Sequence, residues 1–245
     1  MTYQPRFYRE KFSNGRFESF SFALEQTDLW VGVDKSAYCV SMIEFCKMKV
    51  KNLRDEIERY IRYNPEFLNT LDPIVVDDIM PELASEMAEA ANKAKVGPMA
   101  AIAGCFAGYI GRQIMENYNI NELVIENGGD IFASVVNPLS VSVYAGESFF
   151  SDKTVVIVPP GTYGICTSSG TVGHSYSMGK ADAVMVICKD ITLADAYATA
   201  LANRVQSQEH VDNVVSLAKS KEEILSCVIV CEDKIGICGK FDVVF

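Results

Sequence analysis

Strand-like and helix-like segments come in blocks along this chain rather than in alternation, and that grouping narrows the open folds more than any other feature. Between Glu122 and Ser169 apolar segments follow one another, Leu123–Glu126, Ile131–Val136, Val141–Ala145, Thr154–Val158 and Tyr163–Thr167, with Gly, Pro or Asn at the breaks. Helical patterns precede them. Ser41–Tyr63 spreads Ile43, Met48, Val50, Leu53, Ile57 and Ile61 over one broad face and stops at Asn64-Pro65, and Met80–Lys93 and Pro98–Tyr118 follow. Near the start, Arg6–Phe12 and Arg16–Leu24 flank Ser13-Asn14-Gly15, a hairpin signal, ahead of an apolar Leu29–Val33. Later, Ala183–Cys188 reads as a strand leading into helices Leu193–Val205 and Val211–Ala218. Ile224–Cys231 and Ile235–Phe245 read as a closing hairpin about Glu232-Asp233. Grouped blocks imply α+β layers, not a doubly wound parallel sheet. No repeat, linker or low-complexity tract interrupts them, so residues 1–245 are expected to form one domain.

Charge and cysteine usage exclude several classes of function. The formal net charge of −10 gives a field that repels nucleic acid and anionic membrane, so neither is an expected partner. The opening MTYQPRFYREKF has no apolar signal region and no cysteine for lipidation, which points to a cytoplasmic protein. The uncharged stretch Val96–Gly111 is shorter than the roughly 20 residues a membrane span needs, and its glycine and alanine suit a buried helix. Eight cysteines lie largely inside apolar runs, where they pack as small hydrophobes. With no CxxC pair and only two histidines, the pattern argues against a zinc or iron–sulfur centre.

Three segments carry candidate chemistry. In Asp195–Thr199 (DAYAT) the carboxylate and hydroxyl are four residues apart, so a helix stacks them on one face. Magnesium takes such oxygen ligands, with one or two carboxylates and the rest water or phosphate. The competing reading makes Thr192 the helix N-cap and Asp195 the third-position partner of a capping box. In Glu126–Phe132 (ENGGDIF), Gly128 and Gly129 form a hairpin corner or admit a ligand close to the backbone, with Asp130 beside it. Thr167–Ser177 (TSSGTVGHSYS) offers hydroxyls, backbone amides and His174 after a strand. It reads either as a polar surface loop or as a phosphate or flavin contact, with His174 an acid/base group.

The order of these motifs, a GGDI turn, a TSSG loop with a downstream histidine, then D-A-x-A-T on a helix, resembles the ApbE superfamily. The likeness runs from about Lys95 to Val205. Its best-known members are FAD:protein FMN transferases, which cut FAD and attach FMN to a threonine of a target protein. The resemblance implies an α+β layered fold with mixed or antiparallel sheets packed against helices, FAD and Mg as cofactors, and a protein acceptor as partner. Carried over, Asp195 and Thr199 match the magnesium ligands, with a backbone carbonyl in AAIAG, assigned to Ala103, as the third. Gly128, Gly129 and Asp130 match the turn near the flavin, and Ser168, Ser169 and Gly170 the hydroxyl-rich loop. His174 takes the catalytic role. The departures are specific: VGPMAAIAG lacks the acidic residue and lysine of the transferases' D-L-G-G-x-A-K-G. Their H-x-x-D-P-x-T-G element is reduced to His174–Gly179 without proline. The chain looks closest to the superfamily's cytoplasmic branch of methanogens and other anaerobes, members of which have been associated with sulfur incorporation into homocysteine. Two function classes stay open. One is a Mg-dependent FAD-binding protein, with pyrophosphate cleavage or FMN transfer as its chemistry. The other is a non-catalytic accessory protein in sulfur assimilation, meeting a sulfur-pathway partner, with Cys105 and Cys166 the thiols nearest the site.

Overall fold

The structure, a computed structural model, describes residues 15–171 and 178–245. Strands β1 (Phe17–Leu24) and β2 (Thr27–Asp34) lead to helix α1 (Ser41–Tyr63), the short α2 (Glu66–Asn69) and α3 (Glu82–Ala94). A 3₁₀ turn over Pro98–Ala101 opens α4 (Ile102–Asn117), its proline in the first turn where no N–H is needed. Strands β3 (Leu123–Asn127), β4 (Asp130–Val135), β5 (Leu139–Ser142), β6 (Val155–Val158), β7 (Gly161–Ser168) and β8 (Ala183–Cys188) follow. Helices α5 (Ile191–Ala202) and α6 (Val211–Lys219) and strands β9 (Ser226–Cys231), β10 (Lys234–Gly239) and β11 (Asp242–Val244) complete the order.

The strands form two antiparallel sheets, one of eight strands ordered β1-β2-β3-β4-β7-β8-β9-β10 and one of three ordered β11-β6-β5. The large sheet is covered on both faces, which explains why its central strands lack a polar alternation. In β8, Val184, Val186 and Cys188 face the helices, whereas Ala183, Met185 and Ile187 face the small sheet. Helices α4 and α5 lie against each other and over β3, β4, β7 and β8, while α6 covers β9 and β10. This is the α+β layering expected from the sequence, with the sheets wholly antiparallel.

The differences from the sequence reading are local. The buried seam of α1 runs through Met42, Cys46, Val50, Leu53, Ile57 and Tyr60, and Met48 is exposed on its flank. Arg6–Phe12, Ser13 and Asn14 lie outside the described residues. The hairpin that is described joins β1 to β2 through Glu25-Gln26, with Glu25 in the left-handed region at φ 55°. The closing hairpin of β9 and β10 turns at Glu232-Asp233 as expected, but the chain then leaves it. Gly239, at φ 119°, has no room for a Cβ, which would sit 2.4 Å from the Leu225 carbonyl oxygen. Beyond this bend β11 joins β6 in the small sheet.

An ion-pair cluster pins the start of β1 to β3 and β4. Arg16 donates through Nε to Glu122 Oε2 at 2.9 Å and through Nη1 to the Pro138 carbonyl at 2.7 Å. Glu122 Oε1 also accepts the N–H groups of Val136 and Asn137. The Arg16 hydrogen bond holds the Glu122 carboxyl below its ordinary range, against the opposing effect of burial. A depressed folded-state pKa stabilises the fold above the unfolded value of roughly 4.3, and that stabilisation is lost as pH falls through the folded pKa. Glu122→Gln is therefore expected to lose about 1–3 kcal/mol at pH 7, read by urea unfolding. The gap from wild type should close below roughly pH 4; a gap that persists there would sink the ionic explanation.

Candidate functional site

Helix α5 starts at Asp190, whose Oδ1 accepts the N–H of Thr192 at 2.8 Å and of Leu193 at 3.3 Å. That corrects the capping-box alternative: Asp190 is the N-cap, and Thr192 is one of the residues it caps. Asp195, released from capping, turns to the neighbouring helix. Its Oδ2 accepts the Gly104 N–H at 2.8 Å, joining α5 to α4. The carbonyl of the same peptide unit, that of Ala103, accepts Asn127 Nδ2 at 3.0 Å from the end of β3. One peptide bond is thus gripped on both sides, by α5 and by the sheet. Thr199 lies one turn beyond Asp195 on α5 and is half-buried.

Strand alternation decides which neighbours share this cluster. On β4, Phe132 faces the helices and Ile131 faces away, so Asp130 is on the helix side, as is Cys166 on β7. Burial, reinforced by the charge of Asp195, holds the Asp130 carboxyl well above its ordinary value, although the Cys166 thiol and the Thr167 N–H pull it back. Burial pushes Asp195 up to about 7 against the hydrogen bonds from Gly104 and Ala103. The Cys166 thiol is raised by burial and by both carboxylates, and it also points at the Ile191 carbonyl, 3.6 Å away. Two carboxyls so placed resist sharing two negative charges at neutral pH; a proton or a cation relieves them.

The GGDI segment is a two-residue hairpin corner, with Asn127 paired to Asp130 and Gly128 and Gly129 at φ 70° and 108°. Both central residues are left-handed, which is why glycine occupies both. The corner lies against the end of β7, where a Cβ on Gly129 would sit 3.6 Å from the Thr167 carbonyl oxygen. Glu126, fully buried, leaves the other face of β3 from Asn127, and its Oε1 accepts the Gly129 N–H at 2.7 Å. The hairpin reading and the site reading are therefore compatible: the corner is tight, and it delivers Asn127 and Asp130 to the cluster.

The hydroxyl-rich loop is anchored elsewhere. Ser168 ends β7 and is buried, but Gly170 N–H and Ser169 Oγ both donate to the Ala181 carbonyl, at 2.9 and 3.3 Å. Thr171 Oγ1 donates to Asp182 Oδ1 at 2.8 Å. These bonds tie Ser169 and Gly170 to the approach to β8. His174 lies outside the described residues. Among the described residues no group of three or more His, Cys, Asp and Glu side chains is arranged to hold a metal. Two clefts, of about 730 Å³ beside Tyr60 and Ile79 and about 430 Å³ beside Arg112 and Lys189, include none of the clustered carboxylates. Sequence reasoning missed Asn127. The signal for Asn127 was present, since a carboxamide directly before a Gly-Gly corner is placed to reach a neighbouring backbone.

An eight-stranded antiparallel sheet with paired helices over it and a buried Asp on α5 defines an ApbE-type fold. Residues 9–223 match the model of the family described as AbpE bacteria, and the chain belongs to that family. A UPF0280 protein of Methanocaldococcus jannaschii is 37% identical over 224 residues, 89% of this chain and 88% of that protein. A UPF0280 protein of Methanosphaerula palustris is 46% identical over 166 residues, 67% of this chain and 69% of that one. Among solved structures, the apo form of Pseudomonas stutzeri flavinyl transferase ApbE superposes with a TM-score of 0.63 at 13% identity. That match covers 91% of this chain and 93% of the other. The flavin transferase ApbE from Vibrio cholerae gives 0.57 at 14% identity over 91% and 96%. At such identities the likeness concerns the fold. No described helix is long and apolar enough to cross a membrane.

Proposed function

We propose that this protein binds FAD in a magnesium-dependent way at the Asp195 cluster, with pyrophosphate cleavage or FMN transfer as the chemistry open to it. The observation that carries the reading is the Ala103–Gly104 peptide held between Asp195 and Asn127, next to a second buried carboxyl. The donor set fits the ion: one carboxylate from Asp195, a hydroxyl from Thr199 and a carbonyl from Ala103, with water and phosphate oxygens for the rest. When bound, magnesium neutralises pyrophosphate charge and acts as a Lewis acid. Everything else falls to the chain. Asn127 Nδ2 donates to the Ala103 carbonyl and fixes its direction. The bare Gly128-Gly129 corner lets a ligand approach the backbone, and Asp130, its carboxyl raised by burial and by the charge of Asp195, stands beside it. Ser168, Ser169 and Gly170 take the flavin-contact role, and His174 the proton-donating one, on the strength of the sequence resemblance.

The fold neighbours are flavinyl and flavin transferases, which favours the flavin nucleotide as ligand and a protein as acceptor. A second reading is binding without turnover, favoured by the absence of an acidic residue and a lysine from VGPMAAIAG. The sulfur-pathway alternative would need an accessible thiol, whereas Cys105 and Cys166 are both 0% exposed. Equilibrium FAD titration of metal-stripped protein, followed by flavin fluorescence with and without Mg²⁺, separates these. Tight binding enhanced by Mg²⁺ is expected, with AMP release as the next assay. No binding in either condition would remove the flavin reading and leave the accessory role.

A further inference from the structure

Four helix-facing positions line up across the large sheet: Cys166 on β7 pairs with Val186 on β8, Val186 with Cys227 on β9, and Cys227 with Cys238 on β10. Only the last step sets two thiols directly opposite each other. We propose that Cys227 and Cys238 are an oxidisable dithiol, a modification site at the sheet edge that peroxide converts to a cross-strand disulfide.

The geometry is the argument. The two-residue turn makes Cys231 and Lys234 the first pair of the hairpin, and counting inward by twos brings Cys227 and Cys238 to a hydrogen-bonded pair. Cα atoms in such pairs stand roughly 5.5 Å apart, inside the window of about 4.4–6.8 Å that a disulfide spans. Both side chains lie in the helix-side core. β10 is the outermost strand of its sheet, and Cys238 is 6% exposed against 1% for Cys227. The thiol pair also divides its protons unequally: the bond from Cys227 lowers Cys238 to about 7, assisted by Lys219 and opposed by burial, while Cys227 is raised. Cys238, on the outermost strand and the more exposed of the two, is therefore the nucleophile and Cys227 the resolving thiol.

The step balances. The Cys238 thiolate attacks one oxygen of hydrogen peroxide, the O–O bond breaks, and a sulfenic acid forms with release of water after proton uptake. Cys227 sulfur then attacks the Cys238 sulfur, the S–O bond breaks, and a second water leaves; two thiols are oxidised and one peroxide is reduced. Cys188 is the other thiol near Cys227, but it stands two residues along β8 from the position opposite, and burial keeps its thiol protonated. Cys231, four residues away, is at the turn end of the hairpin opposite Lys234.

The test uses the folded full chain and excess hydrogen peroxide, followed by unfolding and alkylation. All eight cysteines are free thiols before oxidation, and six are expected to remain, with an intact mass lower by two hydrogens. Tryptic peptides 222–234 and 235–240 should be recovered as one linked species. Cys231→Ser should keep that link, and Cys227→Ser and Cys238→Ser should each lose it. Retention of all eight thiols, a link through Cys188 or Cys231, or oxidation confined to the half-buried Cys39 would each overturn the proposal. Circular dichroism of every variant, matched to wild type, ensures that a lost link reports on the missing thiol rather than on an unfolded sheet.

Discussion

Asp195→Asn is expected to cut the tightening of FAD binding by Mg²⁺ sharply while leaving the protein folded. Asparagine keeps an oxygen for the Gly104 N–H, so the α4–α5 junction retains its hydrogen bond. What it removes is the charge. An interaction with an ionised group contributes on the order of 1.5–3 kcal/mol, so the magnesium effect should shrink by roughly 10- to 100-fold. The metal-free protein should respond in the opposite direction. Burial raises Asp195 to about 7 from an unfolded value of about 3.9, so its contribution to stability is fully present below the unfolded pKa and is lost as pH rises through 7. Asparagine does not ionise, so the variant should match wild type below roughly pH 4 and exceed it at pH 8 in urea unfolding. Asp130 sharpens the contrast, because its own carboxyl is raised in part by the Asp195 charge that the substitution deletes. An unchanged magnesium effect, with the stability crossover present, would move the metal away from Asp195 without disturbing the electrostatic account of the cluster.

How much of this was legible beforehand depends on whether the information was local. Helix α1 shows its limits in the sequence, since apolar periodicity begins at Ser41 and Asn64-Pro65 ends it; its seam was read about one residue off because Met48, apolar but flanking, was counted in. The doubly buried strands were recognisable as strands because β-branched runs are bounded by Gly, Pro and Asn. The Glu25-Gln26 corner was not legible, because a glutamate in the left-handed region is held there by the pairing of β1 and β2, not by its own preference. The division of the C-terminal segment between two sheets was equally hidden, since Gly239 looks like any strand glycine until Leu225 is found beneath it. At the site, the resemblance put Asp130, Asp195 and Ala103 on one short roster, and the fold places them on adjoining elements. The bond between Gly104 and Asp195 joins residues 91 positions apart, and no local pattern could have announced it. Asp190 displaced Thr192 as the cap for a simple reason: its carboxyl oxygen accepts two backbone N–H groups at once.

That long-range bond exists because Gly104 has no side chain, and Gly104→Ala should show it. On an exposed helix the change would help, by about 1 kcal/mol of helix propensity. Here a Cβ would sit 2.8 Å from the Asp195 Cβ and 2.8 Å from the Ile191 carbonyl oxygen. The second of these is backbone at the start of α5, held by the Asp190 cap, so neither helix can yield without disturbing the other. Overpacking of this kind costs about 1–3 kcal/mol, which for a chain of this size lowers Tm by several degrees, on the order of 2–4 °C per kcal/mol. Gly108→Ala, one turn along α4, supplies the comparison. Its Cβ would meet the Ile191 Cγ2 methyl at 2.6 Å, a side-chain atom rather than backbone. Gly108→Ala should thus be the milder substitution in thermal unfolding and should leave the magnesium response of FAD binding intact. Gly104→Ala should weaken both, because separating the helices pulls Asp195 from the Ala103–Gly104 peptide that orients it. Equal effects of the two alanines on stability, with no separate loss of the magnesium response at Gly104, would mean that the two helices merely pack there and that the gripped peptide does not organise the site.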